Sequence, residues 1–144
     1  MIERYDSPII DVVTRIHVPI IRVFGFYVIA HGHYSPGGGF QGGVILAVSV
    51  ILTRLALGRE ESYRRFAPRT GLWLAAAGVI VFLAMALLPL LFGGALLDYA
   101  RIPFPGLEEP LRRYWSILIV EAGIGVAVWG ALVAIFDKLT GSEI

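Results

Sequence analysis

The sequence contains no cysteine. Disulfides, thiolate metal sites, iron–sulfur ligation and thiol nucleophiles are thereby excluded, while nothing firm follows about compartment. Lysine is nearly missing as well. Lys138 is the only one, so arginine carries almost all of the positive charge. Charged residues make up 16% of the 144 positions, against 57% hydrophobic. Soluble domains carry about 25% charged residues, so this chain is short of the groups that would keep it in water. A net charge of only +1 argues against nucleic acid or a strongly acidic partner. MIERYDSPIIDVV lacks the basic start, apolar middle and small-residue cleavage site of a signal peptide, and the N-terminus is read as mature. The length allows one domain, and residues 1–144 are taken as a single unit.

What the chain does have is long apolar runs. A bilayer core about 30 Å thick needs about 20 mostly apolar helical residues to cross it. Four segments meet that need, at about 8–32, 42–58, 71–94 and 114–136. The expected fold is therefore an all-α integral membrane protein with four transmembrane helices. The alternative is a soluble bundle with long core helices. It fits poorly, because no charged residue occurs from Gly71 through Leu97, where a surface helix would present a polar face. Tyr114 and Trp115 open the fourth segment and Trp73 lies near the start of the third, where amphipathic rings favour the membrane interface. The second connection holds Arg59, Arg64, Arg65 and Arg69, and the first holds no Lys or Arg. Basic loops stay on the cytoplasmic side. That rule puts both termini in the cytoplasm and HGHYSPGGGFQGG (residues 31–43) toward the outside. The third connection, DYARIPFPGLEEPLRR, is rich in proline and is expected to be an extended loop on the membrane surface.

Ionisable groups within a bilayer are costly and mark ion paths or pairings inside a bundle. Glu121 is the sharpest case, preceded by SILIV and followed by AGIGVAVWGALVAIF. It suits either proton or cation exchange or a structural ion pair with a basic residue on another helix. Arg22 is a candidate partner. Spacings of four and seven place Asp11, Arg15 and Arg22 on one helical stripe, which would line an aqueous seam or face another subunit. Counting depth from the segment centres puts Arg22 and Glu121 at similar levels, so the geometry allows a contact between them. Arg54, about a turn from the inner end of its segment, is read as snorkelling to the interface. His31 and His33 suit interface hydrogen bonding or proton acceptance. No third ligand sits nearby for a metal. Gly37, Gly39 and Gly42 fit G-x-G-x-x-G, yet no strand precedes them, so no nucleotide or other cofactor is expected. No nucleophile–base pair is evident, so no catalytic residue is assigned.

One stretch remains. GHYSPGGGFQGGVILA, Gly32 to Ala47, closely resembles the signature of the MnhB/MrpB family, small membrane subunits of multisubunit sodium/proton antiporters. LDYARIPFPG resembles the family's loop between the last two helices, and Glu121 with AGIGVAV resembles its acid-then-glycine pattern. The resemblance touches nearly the whole chain. Stand-alone antiporter subunits usually place Asp where Glu121 stands, which leaves the subfamily open. The resemblance implies a non-catalytic subunit in the cell membrane that braces a Na+/H+ antiporter and lines part of its ion path. Its partners would be other membrane subunits, the lipid bilayer, Na+ and H+. Two alternatives stay open: the same subunit type in the ion-translocating module of a membrane-bound hydrogenase-type complex, or a purely structural assembly subunit. Within the signature Gly32, Pro36, Gly37, Gly38, Gly39, Phe40, Gln41, Gly42 and Gly43 form the hinge. Pro36 through Gly43 are expected to be a break ahead of the second helix, tolerated at membrane depth only where protein or water covers it. Phe40 would plug or anchor that break. The Gln41 amide would offer a ligand oxygen to transient Na+ or bridge to another subunit. A tight-packing hinge without ion contact is the other reading.

Overall fold

A computed structural model describes residues 7–32 and 37–141. Four helices dominate: α1 (Pro8–His31), α2 (Gly39–Arg65), α3 (Pro68–Leu87) and α4 (Glu109–Leu139). No strand occurs among the described residues. All four are long and apolar enough to span a bilayer, α3 together with the 3₁₀ turn that continues it. The chain is an all-α membrane protein.

Proline starts three of the helices. Pro8, Pro68 and Pro110 occupy the first helical positions, where the missing N–H removes no helical bond and φ is already set. The residues before these helices, Ser7, Ala67 and Glu108, are extended. α2 runs beyond the expected 42–58 segment but is interrupted at Gly58, with φ 77° and ψ 171°. That conformation is open to glycine and strained for other residues. The break separates the spanning part of α2 from a short charged tail, in which Arg64 pairs with Glu60 (3.0 Å) and Arg65 with Glu61 (2.6 Å).

The third connection differs from the extended loop expected of it. α3 passes into a 3₁₀ turn, Leu88–Phe92, that Gly93 ends in the left-handed region. The chain then doubles back, with Leu97 N–H donating to Ala86 O at 3.1 Å, and makes a second 3₁₀ turn at Tyr99–Arg101. Ile102 is buried against Met85 and Val120, with Tyr99 and Phe104 packed around them. Proline stiffens this segment, but its apolar side chains decide where it lies: they cap the junction of α3 and α4. Burial raises the Tyr99 phenol above its ordinary pKa.

The helices stand in a row, α1–α2–α4–α3, with α2 and α4 central. α1 and α2 are antiparallel, α2 and α4 parallel, and α3 and α4 antiparallel. Glycine sets each spacing. Gly42 meets the backbone of Gly25 and Ile29, Gly43 meets Gly125 and Val128, and the pair Gly71 and Gly78 meets Gly130 and Gly123. Between α2 and α4 lies the fully buried cluster of Ala47, Val50 and Val133. The outer flanks of the row expose large apolar side chains, among them Ile16, Ile20 and Val23 of α1 and Trp73, Ile80 and Leu83 of α3. Such a surface suits lipid or other membrane chains, not water.

A Cβ on Gly130 would overlap backbone atoms of Gly71 and Ala75, and backbone cannot swing aside as a side chain does. Gly130→Ala is therefore expected to destabilise the detergent-solubilised protein by about 1–3 kcal/mol, read as a lower thermal midpoint and lower membrane yield. Gly37→Ala, whose Cβ would meet nothing nearer than 3.5 Å, should leave both unchanged.

Candidate functional site

The glycine signature closes around Glu121. α1 ends at His31, Gly32 keeps a helical φ, and Gly38 opens α2 at φ 128°. A Cβ on Gly32 would overlap the Gly38 backbone and stand 3.1 Å from Glu121 Oε2. One on Gly38 would stand 3.4 Å from Glu121 Oε1, and one on Gly39 would overlap the Glu121 carbonyl oxygen. Three glycines from two helix ends thus clasp a single glutamate of α4. Its carboxylate lies at the N-terminal end of α2, where the unsatisfied N–H groups and helix dipole favour negative charge.

Only part of the signature is a break. Gly39 to Gly43 already belong to α2, which corrects the expectation that the break extends through Gly43. The reason is packing: Gly39 and Gly43, four apart, fit against α4, and Gly42 fits against α1. Phe40 does not plug the hinge either, because it points outward at 61% exposed. Gln41 is also exposed and remains available to a neighbour. His31 is exposed and stacks on Tyr27, with ring centroids 5.0 Å apart. His33 and Pro36 lie outside the described residues.

Arg22 does not reach Glu121. Its Nε donates to Ser49 Oγ at 3.2 Å, and Ser49 Oγ donates to Leu46 O at 2.6 Å. Glu121 sits at the level of Gly32, ten residues further along α1 and so about 15 Å away. Centring each helix on its apolar run misjudged this depth, because α4 extends well past the hinge to Glu109. The Asp11–Arg15–Arg22 stripe faces α2 of the same chain: Arg15 pairs with Asp11 (2.9 Å) and lies 3.8 Å from Glu61.

Arg54 is buried and does not snorkel. Its Nη1 lies 2.5 Å from Asp137 Oδ1, with the two side chains 1% and 0% exposed. The guanidinium carbon stands 4.8 Å from the Tyr63 ring centroid, and Nη2 donates to Phe66 O at 3.4 Å. Nine residues of straight helix would hold Arg54 and Tyr63 about 13 Å apart along the axis. The break at Gly58 brings the tail of α2 back over the arginine, and Phe66 then packs on Trp129 at 5.7 Å. Arg59 closes the same end by donating to the carbonyl of Thr140.

Two intramembrane polar centres, one glycine-clasped and one ion-paired, thus sit on the shared seam of α2 and α4. A family model for a domain related to the MnhB subunit of Na+/H+ antiporter matches residues 9–134. The chain belongs to the MnhB family. It is 36% identical over 140 residues to a Staphylococcus haemolyticus protein named "Putative antiporter subunit mnhB2", covering 96% of this chain and 97% of that one. Proteins of the same name from Staphylococcus epidermidis and Staphylococcus aureus are 33% identical over the same length and coverage.

In this MnhB-family chain the sequence reading picked out Glu121 and Arg54 but missed Asp137 and Gly58. Asp137 follows the fourth apolar run directly and passes for a loop residue. The available signal was register. If the second and fourth segments run parallel and Gly39 meets Glu121, the same offset carries Arg54 to the neighbourhood of Asp137. Among the described residues, no three His, Asp or Glu side chains converge to hold a metal ion.

Asp137→Leu leaves the Arg54 guanidinium buried without its counter-charge, and a loss of about 3–5 kcal/mol in stability is expected. Combining it with Arg54→Met removes both charges and should recover most of that loss. Thermal unfolding of the two purified variants checks this, and a double variant no better than the single one would show that the charge pair is not the source.

Proposed function

We propose that this chain is a non-catalytic membrane subunit of a multisubunit Na+/H+ antiporter, bracing the assembly and lining part of the ion route with Glu121. The observation that carries this reading is the Glu121 carboxylate held among Gly32, Gly38 and Gly39 at the start of α2. A carboxylate set in an apolar helix and surrounded by backbone polar groups can bind and release a proton, or meet Na+ transiently, as its neighbourhood changes. Exposed Gln41, within the first turn of α2, would offer a second oxygen ligand in the same region. Ala47, Val50 and Val133 fill the seam below it, which favours a route leaving sideways into a neighbouring subunit over one running down through this chain.

In Glu121→Gln the charge is lost and the shape kept. The complex is expected to assemble in normal amounts while Na+/H+ exchange in membrane vesicles falls at least about tenfold, the scale typical of losing a positioned proton carrier. Failed assembly would make Glu121 a structural residue, and unchanged exchange would remove it from the route. Purification on a tag carried by this chain should bring down antiporter subunits alone. Nickel–iron hydrogenase and iron–sulfur subunits in the same particle would replace the antiporter reading with the hydrogenase-type one.

The proposed orientation has both termini in the cytoplasm and the hinge toward the outside, supported by Arg59, Arg64, Arg65 and Arg69 after the second span. Because the chain has no cysteine, single introduced cysteines report topology directly. Glu108→Cys is expected to react with a membrane-impermeant maleimide on intact cells, and Arg64→Cys only after lysis. The reverse pattern would invert the orientation.

A further inference from the structure

Beyond the hinge and the buried ion pair, the α3–α4 end of the row carries a polar groove of about 500 Å³ lined by Phe92, Asp98, Arg101, Glu109, Arg112 and Arg113. We propose that it binds the phosphodiester headgroup of an anionic phospholipid, with Arg112 and Arg101 as the cationic contacts. This rests on the chain spanning the membrane and not on the antiporter reading.

The charges in the groove are unevenly matched. Arg113 is committed to Glu109, donating from both Nε (3.1 Å) and Nη2 (2.8 Å) to one carboxylate oxygen. Arg101 lies 3.9 Å from Asp98, within ion-pair range but beyond a hydrogen bond. Arg112 makes no ion pair within 4 Å among the described residues, acting on Glu109 only at longer range, and its Nε is buried without a hydrogen-bond partner among them. Three arginines against two carboxylates leave one positive charge in the lining. A phosphodiester carries one negative charge, whereas free phosphate carries about −1.5 to −2 at neutral pH and would meet repulsion from Asp98 and Glu109. The same carboxylates can accept hydrogen bonds from headgroup hydroxyls, which suits a glycerol headgroup; choline has no such donor, and its cation would compete with Arg113 and Arg101 for Glu109 and Asp98.

The surroundings point to a lipid and not to a soluble phosphodiester. Phe92 forms part of the groove wall; Leu91 next to it in the chain is 80% exposed, and Leu111 and Trp115, flanking Arg112 and Arg113, are 48% and 45% exposed. Tyr114 and Trp115 pack edge to face, centroids 5.5 Å apart, one turn into α4 below Arg112 and Arg113. Aromatic rings of this kind mark the headgroup level, so the guanidinium groups stand at the depth of lipid phosphates with apolar surface beneath for the acyl chains.

The test uses the full chain, purified and stripped of lipid in detergent, titrated with phosphatidylglycerol, phosphatidylcholine of matched acyl chains, or inorganic phosphate. Thermal unfolding and native mass spectrometry give the readouts. Phosphatidylglycerol is expected to bind and raise the unfolding midpoint, with phosphatidylcholine at least about tenfold weaker, as for loss of a charge-assisted hydrogen bond. Arg112→Gln should weaken phosphatidylglycerol by a similar factor, Arg112→Lys should retain most binding, and Arg64→Gln at the other end should change nothing. If Arg112→Gln does not fold, Arg101→Gln, on an exposed side chain, carries the same expectation. Equal binding of the two lipids, indifference to both arginine changes, or the same stabilisation by inorganic phosphate would each overturn the proposal.

Discussion

Everything in this molecule depends on how closely α4 can be approached by its neighbours. Lipid tails are as apolar as leucine, so helices in a bilayer gain little from hydrophobic burial and associate through close packing and polar contacts. α4 provides that closeness on two sides. Gly123 and Gly130, seven residues apart, receive Gly78 and Gly71 of α3, while Gly125 on the opposite side receives α2 at Gly39 and Gly43. α2 repeats the device, using Gly42 against α1 and Gly39 with Gly43 against α4. Backbone meets backbone at these points, and the rest of the row is hung from them.

The glycine contacts also explain where the polar groups are. Because α2 and α4 run parallel at short range, residues at a constant offset face each other along the seam. At one end this places the Glu121 carboxylate against the opening of α2, and at the other it joins Arg54 to Asp137. The two centres are 16 residues apart along α4, about 24 Å, most of a bilayer. The Ala47–Val50–Val133 core between them is apolar and fully buried. The seam is thus polar at its two ends and apolar between them. The single-row architecture leaves both flanks broadly apolar.

Two devices complete this arrangement. Gly58 lets α2 leave helical geometry, so that Tyr63 and Phe66 return over the buried Arg54 and cover a charge that would otherwise face lipid. At the opposite end the doubled-back loop seats Ile102 between α3 and α4, against Met85 and Val120, and closes that end of their junction. Both depend on a few side chains of the right kind at a distance in sequence: an aromatic pair after a glycine in one case, an isolated isoleucine among prolines in the other.

Much of this is legible in the chain itself. Apolar length defines four spans, proline marks the start of α1, α3 and α4, and an acid enclosed by a greasy helix identifies Glu121 as exceptional, because these depend only on local composition and the cost of charge in hydrocarbon. The glycines of the hinge announce close approach, but not to which helix. Tertiary structure alone decided that Gly39 and Gly43 belong to α2 and serve α4, that Arg22 meets Ser49 and not Glu121, that Phe40 faces outward, and that Arg54 finds Asp137. The physical reason is register. The depth of one helix relative to another is set by where backbones can touch, and an apolar run has no marker of its own for that position.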